Sequence, residues 1–308
     1  MNNLTKKDSG IVYLLALIAP QIIGGLVLAV FCMAFPSTDA AKESIWYTYL
    51  SALIPQLCFA LIYILYTKTK KIGYKAIFTE NQKPTTKNCL LVVLMSVILF
   101  CSFFYLIDLL ENVFVLIGID ITKFGTPVLN DTPARLVVNI ILMAILPAIF
   151  EELIYRGLIF SGLKQSGKWF AVLVSAAMFS LMHLSILQLV YPFVMGIIFA
   201  LVFDKTNCIY YTMLMHFCNN FLVLIVDYFN GIYLFNLTYA LSAINIILIV
   251  LAAIVGLFLI WLIIKALNKG NTNKIEQAEN KTFSFELCIS IVVAVVFWII
   301  VFITSLKG

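Results

Sequence analysis

Glu151, Glu152 and Arg156 stand together in an otherwise apolar segment, and the only two histidines, His183 and His216, lie in two further apolar segments. These residue types do acid–base chemistry: a carboxylate takes a proton from water, and imidazoles hold that water or donate to a developing negative charge. Ionisable groups in hydrocarbon cost about 2.5 to 3.5 kcal/mol each on insertion scales, so inside a membrane their first reading is function. On a helix, Glu152 and Arg156 are four apart and share a face, while Glu151 points about 100° away. Arg156 is thus expected to neutralise Glu152 and leave Glu151 available as a base. His216 and Asn220 repeat the four-residue spacing, which projects an imidazole and a carboxamide from one face as a pair of donors for an oxyanion. Phe179 and His183 do the same, so the phenyl ring is expected to pack on the imidazole and restrict it. Plainer readings exist for each group alone: a Glu/Arg pair marking a span end, or a histidine serving as a hydrogen-bond partner between helices. They leave the second glutamate unexplained.

The elements that carry these residues follow from composition. The chain has 308 residues, 63% hydrophobic and 11% charged, with a mean hydropathy of +1.06. That is too little polar surface for a soluble globule and enough apolar sequence for several spans. An all-α, polytopic transmembrane helical bundle of about eight or nine spans is expected, at roughly 20 apolar residues per span. The candidates are 11–34, 45–67, 89–117, 136–163, 169–187, 189–203, 209–226, 239–264 and 285–304, the sixth being the shortest. The first run follows Lys6 and Lys7 but has no A-x-A-like cleavage site, and reads as a retained helix. We divide the chain into amino-terminal helices and loops, 1–135, a catalytic core, 136–226, and carboxy-terminal helices, 227–308.

The formal charge of +5 sits largely on lysines in short connections, where it sets membrane orientation; no nucleic-acid partner is implied. With the amino terminus cytoplasmic, the lysines at 68–87, Lys164, Lys168, Lys205 and those at 265–281 all fall on the cytoplasmic side. The seven cysteines form no C-x-x-C pair and read as small hydrophobes. Asp108 and Glu111 lie near the outer end of the third run, where carboxylates reach the interface. Asn139 and Asn245 read as interhelical hydrogen-bond partners, and Pro147, one turn before Glu151, as a kink. Depth ties the three polar groups together. At about 1.5 Å per residue, Glu151 lies roughly 20 Å from Lys164, His183 roughly 22 Å from Lys168, and His216 roughly 16 Å from Lys205. The three helices therefore bring their polar groups to a common level.

Glu151 to Arg156 reads E-E-x-x-x-R, Phe179 to His183 reads F-x-x-x-H, and His216 to Asn220 reads H-x-x-x-N. In that order and spacing the chain resembles the CPBP family of intramembrane endopeptidases, which includes type II CAAX prenyl endopeptidases and bacteriocin-processing Abi proteins. The resemblance implies that Glu151 activates water, that His183 helps to hold it, that His216 and Asn220 bind the oxyanion, and that Glu152, Arg156 and Phe179 support them. It also raises a zinc reading, with Glu151, His183 and His216 as ligands and an open fourth position. A liganded Glu151 cannot also be the free base, so a metal-free glutamate mechanism without cofactor is favoured. The expected partners are a peptide or protein substrate at the membrane and the lipid bilayer itself, with the protein integral to a bacterial cell membrane. Two other functions fit the same residues: a non-catalytic immunity or scaffold protein, and a proton-coupled transporter, which the lack of an internal repeat makes less attractive.

Overall fold

The computed structural model describes residues 4–72, 84–116, 119, 130–233, 243–269 and 283–306. Its elements are helices α1 (Lys6–Ala34), α2 (Thr38–Glu43), α3 (Ile45–Thr69), α4 (Thr86–Leu116), α5 (Pro133–Ser166), α6 (Lys168–Leu181), α7 (Val190–Thr206), α8 (Ile209–Tyr233), α9 (Ala243–Ala266) and α10 (Phe285–Leu306). Seven of them are long and apolar enough to cross a membrane. The fifth expected span is shorter, since α6 stops at Leu181, and the sixth runs slightly further than expected, to Thr206; the turns between them carry His183. Among the described residues there is no strand, so the all-α bundle expected from composition is the fold. Its outer surface is apolar, with Leu26, Leu248, Phe258 and Ile300 exposed, as lipid contact requires.

The helices begin and turn where local chemistry dictates. Thr5 caps α1 in a reciprocal box: its side chain accepts from Asp8 N, and Asp8 Oδ2 accepts from Thr5 N at 2.8 Å. The other Asp8 oxygen accepts from Tyr66 at 2.6 Å and pairs with Lys70 at 2.6 Å, tying the start of α1 to the end of α3. Between α5 and α6 the chain turns at Gly167, whose φ of 108° a side chain would oppose. At the same end, Asp204 pairs with Lys164 at 3.0 Å and with Lys168 at 3.1 Å, Gln165 donates to Leu4 O, and Lys205 to Lys265 O. Lys164, Lys168, Lys205 and Lys265 thus gather at one end of the bundle.

Helix α5 is the central element and is not a uniform α-helix. It runs as π-helix over Ile140–Ile145 and again over Leu153–Phe160, and Glu151 and Glu152 end the α-helical piece between them. Such segments occur disproportionately at functional sites. Pro147 accounts for part of the irregularity. It has no N–H to offer Met143, four residues before, and the Asn220 carboxamide donates to that carbonyl at 2.9 Å. Further along, Ser9 donates to Ile159 O at 2.8 Å and Ser161 to Arg156 O at 3.0 Å, which satisfies carbonyls of the second π segment. The glutamate-bearing piece of α5 is held between α3 and α8. One apolar cluster, with Tyr13, Tyr155, Leu158, Phe160 and Phe179, packs α1, α5 and α6. A second, with Val92, Leu99, Phe199 and Met215, packs α4, α7 and α8. The charged residues sit at the seam between them.

Candidate active site

Three helices and one turn build the site. Glu152 is fully buried, and its Oε1 accepts from Arg156 Nη1 at 2.9 Å, the i, i+4 pair that spacing predicts. The same oxygen meets His216 Nδ1 at 3.1 Å. A carboxylate only accepts, so Nδ1 carries the proton, and the other nitrogen of the ring, Nε2, points towards Glu151 Oε2 at 3.9 Å. That distance is beyond a direct hydrogen bond. His216 therefore sits between the two glutamates, with one engaged and one open.

Arg156 is held through its two terminal nitrogens and by two rings, while its Nε is buried without a hydrogen-bond partner. Its Nη2 donates to Gly196 O at 3.2 Å, and its guanidinium lies 5.0 Å from the Phe179 ring centre and 5.2 Å from that of Phe199. The two rings come one from each apolar cluster, so the cation rests between negative π faces where water is excluded. Gly196 can supply its carbonyl because α6 and α7 cross very closely: a Cβ there would lie 2.9 Å from Ala176 Cα. Phe179 also meets both imidazoles, His183 at 5.2 Å and His216 at 5.9 Å between ring centres, each edge-on. The two histidines thus border one site, as equal depth predicts.

His183 is positioned by the end of its helix. Its backbone N–H turns back to Ser180 O, which leaves Phe179 O without that N–H, and the His183 ring donates from Nδ1 to it at 2.9 Å. Nε2 is then the acceptor nitrogen, and the ring is within electrostatic reach of Glu151 and His216. The next residue, Leu184, has φ of 50°, left-handed backbone that a branched side chain rarely adopts, and it turns the chain sharply after the histidine.

At the site itself the structure departs from expectation in two places. Asn220 projects from the His216 helix as spacing requires, yet one of its amide hydrogens is committed to Met143 O. Gln56 on α3, which the motifs do not include, is 5% exposed and donates from Nε2 to Glu151 Oε1 at 3.1 Å. The available signal was a single carboxamide inside the apolar run that begins at Ile45. Asn219, beside Asn220, accepts from Tyr191 of α7 and joins α8 to that helix. The side chain of Asp108 lies outside the described residues; Glu111 lines a groove on α4 with Phe103 and Tyr191, away from the paired glutamates. Asn139 donates to Asn130 in the connection before α5, a local bond rather than the interhelical one expected.

Glu151, His183 and His216 are the residues that a zinc ion would take as ligands. Among the described residues, no three His, Cys, Asp or Glu side chains converge as a metal-holding group. Nδ1 of each histidine is engaged, His183 on a carbonyl and His216 on Glu152, so Nε2 is the nitrogen that each ring has left to offer. The chemistry proposed below uses no metal.

The fold and site define a polytopic helical membrane protein with a buried glutamate–histidine centre. Residues 133–222, from the start of α5 into α8, match the family described as type II CAAX prenyl endopeptidase Rce1-like, a family of membrane proteases. No curated protein and no solved structure matches the chain.

Proposed function

We propose that the protein is an intramembrane endopeptidase in which Glu151 activates water. The observation that supports this reading most is the division of labour at His216: Glu152 is committed to Arg156 and Nδ1, while Glu151 keeps Oε2 open beside Nε2. In the reaction, a water gives one hydrogen bond to Glu151 Oε2 and the other to His183 Nε2. Glu151 takes the first proton as the water oxygen attacks the peptide carbonyl carbon. The carbonyl π electrons move to its oxygen, and the oxyanion receives His216 Nε2–H and the second amide hydrogen of Asn220. The proton on Glu151 then passes to the amide nitrogen as the C–N bond breaks, leaving a carboxyl group and an amine. Donation from both ring nitrogens requires a protonated ring, and Glu151 and Glu152 together balance it and Arg156. A general base contributes about 10²- to 10⁴-fold and an oxyanion donor about 10²- to 10³-fold, enough together to make the site catalytic.

The substrate is a membrane-associated peptide or protein, such as a leader peptide, a signalling peptide or a prenylated C-a-a-X protein. The protein resides in the cell membrane of a bacterium, with its amino terminus and basic connections cytoplasmic. Mass spectrometry of membrane peptides from cells carrying wild type or Glu151→Gln tests the activity. Products present with wild type and absent with the folded variant are expected, and they persist when cells and extracts are treated with a zinc chelator. Identical peptide sets from the two strains would sink the peptidase reading and leave a non-catalytic immunity or scaffold role.

A further inference from the structure

Gln56 brings α3, which lies outside the Rce1-like segment, into contact with the base. Its amide nitrogen holds Glu151 Oε1 at 3.1 Å, while its own carbonyl oxygen is buried without a hydrogen-bond partner. A buried polar atom left idle is unfavourable unless a later state of the molecule uses it. The idle atom belongs to the same planar group that holds the carboxylate. An amide and a carboxyl group pair through two hydrogen bonds, N–H to one oxygen and O–H to the amide oxygen. With Glu151 ionised only the first can form. Once Glu151 has taken a proton, the second can form as well.

We infer that Gln56 is the positioning residue of the catalytic base: it pins Glu151 Oε1, presents Oε2 to the water, and accepts a hydrogen bond from the protonated carboxyl group until the leaving nitrogen takes the proton. This rests on the peptidase reading of the site. The proton count is unchanged, since the proton taken from water stays on Glu151 and is shared with Gln56 Oε1 only through a hydrogen bond. A role as interhelical glue alone predicts loss of stability and no change in turnover per folded molecule.

The full chain is reconstituted in phosphatidylethanolamine and phosphatidylglycerol vesicles, with a peptide whose cleavage in cell membranes depends on Glu151. Gln56→Met keeps the length of the side chain and removes both polar atoms. We expect kcat per folded molecule to fall about ten- to hundredfold, as for a displaced catalytic group, with KM within about twofold. Gln56→Asn, which keeps the amide one methylene short, recovers part of the rate. Leu57→Ala, on the lipid-facing side of the same helix and 56% exposed, leaves the rate unchanged. Wild-type turnover in Gln56→Met, or an Asn variant no better than the Met variant, overturns the role of Gln56 while an inactive Glu151→Gln leaves the peptidase reading standing. A Glu151→Gln protein that cleaves as wild type overturns both. If Gln56→Met does not fold, the Gln56→Asn kinetics decide: a kcat equal to wild type refutes the role, and a reduced kcat at constant KM supports it.

Discussion

Replacing Arg156 by methionine removes the one cation that faces Glu152 on its own helix. The variant keeps the apolar stem and a thioether that packs well on Phe179 and Phe199, so little volume is lost. The losses are electrostatic. Glu152 loses its cation and keeps the His216 ring as a partner, and Gly196 O, which accepts from Arg156 at 3.2 Å, loses that donor. Removing one partner of a buried ion pair costs about 3–5 kcal/mol, because the remaining charge stays desolvated. An unpaired carbonyl adds about 1–3 kcal/mol, and the thioether–ring contacts return about 0.3–1.5 kcal/mol. The net expectation is a destabilisation of about 3–7 kcal/mol, well above the ~0.6 kcal/mol average of polar contacts between membrane helices. Adding Glu152→Gln removes the stranded charge, so the double variant is expected to be more stable than Arg156→Met alone, by about 1–2 kcal/mol. Arg156→Lys, which keeps the charge and loses the planar fork, falls between wild type and Arg156→Met. The assay is reversible unfolding in mixed micelles, titrated with sodium dodecyl sulfate and followed by circular dichroism. An Arg156→Met midpoint within about 1 kcal/mol of wild type, or strict additivity in the double variant, refutes the reasoning.

Asn220→Ala leaves Met143 O without the Asn220 amide and is expected to cost about 1–3 kcal/mol in the same unfolding assay. Pro147→Ala supplies an N–H at position 147, so the Pro147→Ala, Asn220→Ala protein should recover most of that stability while its hydrolysis remains impaired. Failure of the alanine at 147 to restore stability argues against the proline as the source of the free carbonyl. Gly196→Ala places a Cβ 2.9 Å from Ala176 Cα, separating α6 from α7 and drawing the Gly196 carbonyl away from Arg156. It is expected to destabilise by about 1–3 kcal/mol, and a thermal midpoint equal to wild type contradicts the close crossing.

Contacts set by one helix are those the sequence discloses. The Glu152–Arg156 pair and the packing of Phe179 on His183 both follow from a four-residue repeat, and both are present. The apolar spans and the shared depth of the polar groups are equally legible, since length and composition determine them. Contacts between helices are not. His216 Nδ1 on Glu152 joins residues 64 apart, and Gln56 on Glu151 joins residues 95 apart, with no local periodicity to announce either. The spacing argument predicts that Asn220 faces the reaction, whereas its amide also serves a carbonyl freed by a proline on another helix. The shortness of α6 is likewise hidden, because the apolar sequence continues past Leu181 while the backbone turns at Leu184.

The two π segments of α5 make the aim of Glu151 a matter of phase. In an α-helix each residue advances the side-chain direction by about 100°, so the bearing of any group is the sum of all the steps before it. The wider turns over Ile140–Ile145 alter that sum upstream of the glutamate. Loss of one residue there would let the segment wind as ordinary α-helix and rotate Glu151 away from Gln56 and His216. The lipid-facing side chains of that segment, Ile141 and Ile145, are therefore part of what points the base, although neither touches it. A bilayer that favours one winding over the other would turn the same dial.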